Sequence, residues 1–364
     1  MAKLTALPSE VTRPTSSLIL ISLIAFFSGI AIHIQAVRKG PGSLVPSISK
    51  LTNEEVIRLL PDDFNATWKL APNLTNRLLV FLIVFFQSIV SDPTAFGLLL
   101  IILSASAPLL SFMSVESLKA GRSKLHHPLV FIAVALISQL VCVGAALPAL
   151  WVPIYAYIRW SESSTNPPAI HPAPSPSPAH VNLVFICSIL AGILSLAQCF
   201  VDPTSSFFVY LDIAFQLFPL AYLPLALAGR PSVQKDLPRL KAADLYRDLG
   251  FGLALAWWVG LWYAYPGLKK AWKTGVFEQD GAHLLFWDTV GVLIAQYTQI
   301  LVDSYADEAR VAVTGERVMH RRFIVEDIFG LAGLTLLGPG LANATYFRRR
   351  ESLAEKARVG VKEE

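Results

Sequence analysis

Six long stretches of this chain carry no Asp, Glu, Lys or Arg: residues 14–37, 93–115, 125–158, 163–201, 249–268 and 328–347. Wound as helices, apolar runs of about 20 residues match the roughly 30 Å hydrocarbon thickness of a bilayer. A soluble core can bury one helix that is apolar all round, but not six in a chain of 364 residues. The pattern therefore predicts an all-α fold, a polytopic transmembrane helical bundle of eight or nine helices. Charged residues are only 15% of the chain, against about 25% in a typical soluble domain.

The same features exclude whole classes of function. A formal charge of +4 dispersed through loops makes no phosphate-tracking patch, so nucleic acid is not a partner. Cys142, Cys187 and Cys199 lie in apolar segments, with neither a metal-ligand spacing nor an even disulfide set. They read as small buried hydrophobes.

Taken as one membrane domain, residues 1–364 divide into helices at 17–36, 78–91, 95–117, 128–158, 181–200, 205–228, 249–267, 284–302 and 323–346. The first is read as retained, because Ser17–Ala36 outruns a signal core and Arg38-Lys39 is no small-residue cleavage site. A polar loop at 37–76 has room for a short interfacial helix around Asn53–Leu60 and carries two glycosylation sequons, at Asn65 and Asn73. Residues 161–180 form a Pro/Ser-rich linker and 347–364 a basic tail. Loop charges are nearly balanced, so orientation stays open.

Asp92-Pro93-Thr94 recurs as Asp202-Pro203-Thr204, Gly121-Arg122 as Gly229-Arg230, and the aromatics around Trp151 as those around Trp258 and Trp262. This spacing suggests an internal repeat, copy one at 77–160 and copy two at 181–267, followed by C-terminal helices at 284–346. Asp92 and Asp202 fit helix caps with Pro at the first helical position, and are additional acids if they also face a shared cavity.

Asp212 sits about two turns inside its span with Gln216 one turn on; Asp288 sits early in its helix with Gln296 and Gln299 further along. A carboxyl at bilayer depth costs about 2.5–3.5 kcal/mol, so it is either put to use or held in an interhelical hydrogen bond. A protonated one can act as a general acid. Asp303, Glu326 and Asp327, close in sequence to Arg310, Arg321 and Arg322, read as helix ends at the interface; His33 and Gln35 read as headgroup anchors, or else as donors to a ligand oxygen. Trp151, Trp258, Trp262, Tyr210 and Trp287 fit an aromatic belt, or a pocket wall where turned inward, since aromatic faces steady a cation. Phosphate loops, nucleophile elbows, histidine boxes and Asp-rich diphosphate motifs are all missing from the sequence, and the histidines lack metal spacing. What remains is proton-driven chemistry, transport, or a non-catalytic membrane adaptor.

The Asp-Pro-Thr turns, Phe286-Trp287-Asp288, the aromatic-rich helix ends and the basic tail resemble the fungal integral-membrane terpene cyclases of meroterpenoid biosynthesis, in particular the ascofuranone/ascochlorin type. The resemblance implies an endoplasmic-reticulum enzyme that uses neither cofactor nor metal and protonates the terminal epoxide of a farnesylated aromatic precursor to drive ring closure. An upstream epoxidising monooxygenase would supply that lipophilic substrate. Asp212 or Asp288 would be the acid, each orienting the other as paired carboxyls do. Trp151, Trp258, Trp262, Tyr210, Trp287, Gln216 and Gln299 would line the site. The rival reading is a secondary transporter with the same acids as a proton relay, which calls for a passage open to both faces and many broken helices; a cyclase calls for one closed apolar pocket with few acids.

Overall fold

A computed structural model describes residues 9–39, 50–61, 64, 73–119, 124–164, 176–228, 241–314, 330 and 332–360. Asn65, residues 165–175 of the 161–180 linker, Gly121-Arg122, Gly229-Arg230, Arg321, Arg322, Glu326 and Asp327 lie outside the described residues. So does the side chain of Asn73.

Every regular element among the described residues is helical: α1 (Ser9–Lys39), α2 (Asn53–Ile57), α3 (Asn73–Ser91), α4 (Pro93–Ser117), α5 (Pro128–Val141), α6 (Val143–Ala146), α7 (Val152–Ser164), α8 (Pro178–Ala197), α9 (Ser206–Gln216), α10 (Leu223–Leu227), α11 (Ala242–Thr274), α12 (Asp280–Thr314) and α13 (Pro339–Gly360). Four spans among them are long and apolar enough to cross a membrane: Ser16–Val37, Pro93–Ser117, Pro178–Phe200 and Asp280–Asp303. A fifth is reached if the pair Ser206–Gln216 and Phe218–Leu227, bent by 54°, is one span.

Chain chemistry explains the bounds. Asp92 caps α4 by accepting the Ala95 N–H at 2.9 Å, with Pro93 opening the helix. The second Asp-Pro-Thr does a different job. Asp202 folds onto Thr204, accepting its N–H at 2.9 Å and its hydroxyl at 2.8 Å, and Ser205 is the residue that caps α9. Those two Thr204 bonds hold the Asp202 carboxyl below the usual carboxylate range. Gln87 of α3 reaches across and donates to the Pro203 carbonyl at 2.7 Å.

The segment expected as one helix over 128–158 is interrupted twice. At Cys142 the backbone turns to φ 76°, ψ 140°, a region few side-chain-bearing residues adopt, and α5 stops. Beyond α6, residues Leu147–Trp151 widen into a π-turn: Pro148 and Pro153 have no N–H to give, and the Val152 N–H reaches back five residues to the Leu147 carbonyl. Its counterpart in the supposed second copy, α11, is an unbroken helix of 33 residues.

Close packing depends on missing side chains. On α11, Gly260 and Ala264 meet Gly97 of α4, where a Cβ on either glycine would collide with the opposing backbone. Small residues spaced by four are the usual means of bringing two membrane helices together. That contact fixes which face of α11 looks inward, and it leaves Trp258, Trp262, Tyr265 and Trp272 exposed on the outside, beside exposed Lys269, Lys270 and Lys273.

Candidate functional site

A cavity of about 520 Å³ lies among α1, α3, α4, α5, α8, α11 and α12, within the roughly 300–1,000 Å³ range of small-molecule sites. Its wall is mainly apolar. Phe81, Phe85, Phe86, Phe215 and Phe218 form a relay of rings, each 4.9–6.1 Å from the next. The lining serines are largely turned back on their own helices: Ser106 donates to the Ile102 carbonyl, Ser138 to Val134 and Ser195 to Ala191, each at 2.8 Å. One hydroxyl pair faces the cavity from α8 and the turn after α9, the Tyr222 hydroxyl donating to Ser188 Oγ at 3.2 Å.

Among the described residues, Asp288 is the only Asp, Glu, Lys or Arg in the lining. It is placed by the break at Cys142. Starting a new helix at Val143 leaves orphan N–H groups at its first turn, and a carboxylate is a good cap for them. Here the cap comes from another helix: the Gly144 N–H donates to Asp288 Oδ1. The contact is possible because a Cβ on Gly144 would strike the Asp288 carbonyl, and one on Gly291 would strike the Gly144 carbonyl. The other side of the break is held by α1, whose His33 Nδ1 lies 3.1 Å from the Val141 carbonyl. A carbonyl can only accept, so Nδ1 carries the hydrogen, and in a neutral imidazole Nε2 is then the nitrogen with the lone pair. His33 and Cys142 also line the cavity. The headgroup-anchor reading of His33 is thus replaced by a cross-helix bond, created by a break that the apolar run at 128–158 does not announce.

Asp212 and Asp288 do not form a pair. Asp212 lies on α9, fully buried beside the buried Gln216 one turn on, and among the described residues neither side chain meets a partner with good hydrogen-bond geometry. Neither lines the cavity, and Asp288 is oriented by backbone instead. The expected substrate-binding set is also displaced. Trp258 and Trp262 face outward because the α4 contact takes the opposite face of α11, and Tyr210 is half exposed against Phe64. Trp151 points inward but is spent on structure, its indole N–H donating to Gln299 Oε1 at 2.9 Å while it stacks on Tyr155. Trp287 packs edge-on against Phe286. Asp92 and Asp202 stay at their turns, away from the cavity lining. The phenylalanine wall is not legible in the sequence because Phe81, Phe85 and Phe86 look like any apolar helix face; Phe215, which meets Phe86, lies 129 residues beyond it.

A second polar centre occupies the far end of α12. Asp303 accepts from the Tyr155 hydroxyl at 2.5 Å, Arg159 Nε at 3.2 Å and the Tyr346 hydroxyl at 3.1 Å, with Arg350 Nε at 3.4 Å. Arg350 also donates to Glu116 at 2.5 Å, and Lys119 joins Glu116 and Glu351 at 2.6 and 2.5 Å. Three cations thus meet three carboxylates, all buried. The apolar span closes at Asp303 while α12 itself runs on to Thr314, and among the described residues the cationic partners of Asp303 come from α7 and α13. No cluster of three or more His, Cys, Asp or Glu suited to a metal occurs among the described residues.

Compared with known protein families, characterised proteins and solved structures, the chain matches none.

Proposed function

We propose that this chain is a membrane-embedded cyclase that acts on a lipophilic prenylated aromatic compound bearing a terminal epoxide. The observation that carries this reading is an apolar cavity walled by phenylalanine in which Asp288 is the sole acid. In the proposed reaction, the protonated Asp288 carboxyl gives its proton to the epoxide oxygen while the Gly144 N–H holds the other carboxyl oxygen in place. The C–O bond at the more substituted carbon breaks, the pair of electrons of a nearby alkene forms the new C–C bond, and the resulting cation loses a proton. The product is an isomer of the substrate. A dry apolar wall keeps water from quenching the cation, and ring faces attract positive charge.

In this reading α3, the broken run α5–α7 and α11 join the apolar spans in an eight-helix, multi-pass bundle, duplicated in origin and seated in the endoplasmic reticulum. An epoxidising enzyme acts upstream. The two broken helices favour a second reading, a proton-coupled permease, since interrupted helices at a central site are common in transporters.

The test is to express the chain in microsomes with a farnesyl-phenol epoxide. Cyclisation yields a new compound of unchanged mass, lost in Asp288→Asn. Movement of the compound across sealed vesicles without chemical change would favour the permease.

A further inference from the structure

His33 and Asp288 grip opposite sides of one helix break and face one cavity, yet the reaction as written uses only the second. It needs a base as well, because the cyclised cation must shed a proton. Asp288, having just given one up, can take it back only if the departing hydrogen happens to lie beside it. We propose that His33 is the general base, an inference that rests on the cyclase reading above.

Three observations support the assignment. The Val141 carbonyl fixes the imidazole with a hydrogen on Nδ1, so in the neutral ring Nε2 is the acceptor. His33 is the only histidine in the cavity lining. The groups it and Asp288 hold, Val141 and Gly144, are three residues apart, so their Cα atoms are no more than about 11 Å from each other. A substrate seated over the break would meet acid and base together. The cycle balances: Asp288 gives a proton to the epoxide oxygen, Nε2 takes one from the carbon skeleton as the alkene forms, and the imidazolium then returns it to the Asp288 carboxylate. No proton is gained or lost overall, and neither metal nor co-reactant is required.

Two variants separate base from brace. In His33→Asn the amide nitrogen stands where Nδ1 did and still donates to Val141, but the base is gone. With farnesyl-phenol epoxide in microsomes, His33→Asn is expected to slow cyclisation at least about tenfold, since general bases typically contribute about 10²–10⁴. The stranded cation should resolve into several alkene isomers, or a hydrated product 18 mass units heavier than the isomer. His33→Ala should be partly rescued by added imidazole, which a purely structural role would not allow. Wild-type rate and a single product from His33→Asn, or no rescue of a folded His33→Ala, would overturn the assignment while Asp288→Asn remained inactive and the cyclase reading stood. No turnover by the wild-type chain would remove that reading and this inference with it.

Discussion

Helix α12 carries two buried carboxylates fifteen residues apart, about 22 Å along its axis, and they live in opposite surroundings. Asp303 is enclosed by Tyr155, Arg159, Tyr346 and Arg350, so every lone pair has a partner and nothing is left for a guest. Asp288 has backbone on one side and an apolar cavity on the other. The difference shows how to read buried charge in a helical bundle. A saturated network joins elements, here α4, α7, α12 and α13, whereas a lone acid at a cavity wall keeps bonding capacity for something that is not protein.

The largest expected effect comes from breaking the saturated end. Arg350→Leu leaves Glu116 and Asp303 short of a buried cation, and loss of one partner from such a network typically costs about 3–5 kcal/mol. A fall in thermal stability in detergent, or failure to accumulate in membranes, is the readout; an unchanged melting temperature would contradict the joining role. Asp288→Asn should behave in the opposite way. The Asn carbonyl can still accept the Gly144 N–H, so folding is expected to hold, while on the proposed cyclase reading turnover falls by about 10²–10⁴ for want of a general acid. Together the two substitutions sharpen the contrast: one removes the fold, the other only the chemistry.

Asp212 lies between these extremes, a buried carboxyl beside Gln216 but outside both the charged network and the cavity lining, with no well-formed hydrogen bond among the described residues. Leaving a polar group buried and unbonded costs about 1–3 kcal/mol, so Asp212→Leu is expected to stabilise the protein by that order without touching turnover. Destabilisation, or loss of activity, would show that Asp212 has a partner. The smallest structural effect is expected at Gly192, which lines the cavity where a Cβ meets nothing within 4 Å. Gly192→Leu should fill space otherwise open to a guest and weaken binding of the farnesyl-phenol epoxide. Its melting temperature is expected to move little, because surface or void-facing changes usually stay within about 0.5 kcal/mol.

Much of the helical layout can be read from local chemistry. The charge-free runs place α1, α4 and α8, and Asp92 before Pro93 marks a helix start that the Ala95 bond realises. Asp288 stood out because a carboxyl within an apolar run is costly. What lay hidden depends on residues distant in the chain. Nothing near Asp303 announces Arg350, and Asp202 repeats the letters around Asp92 while Ser205 takes the capping position. Cys142 is the sharpest case. An apolar run from 128 to 158 looks continuous, and only cross-helix partners, His33 on one side and Asp288 on the other, make an interruption tolerable there. The outward tryptophans of α11 teach a related lesson, since the inward face of that helix was chosen by its glycine and alanine and not by its largest side chains.

The cavity lining extends to Val37, Leu140 and Leu196, whose side chains are 38%, 61% and 36% exposed on the greasy exterior of the bundle. On the proposed cyclase reading, a doorway framed by such residues draws its visitors from the hydrocarbon phase. Occupancy then tracks the mole fraction of guest dissolved in lipid, so diluting a fixed dose of compound into more membrane should lower the rate even when its amount per millilitre stays constant.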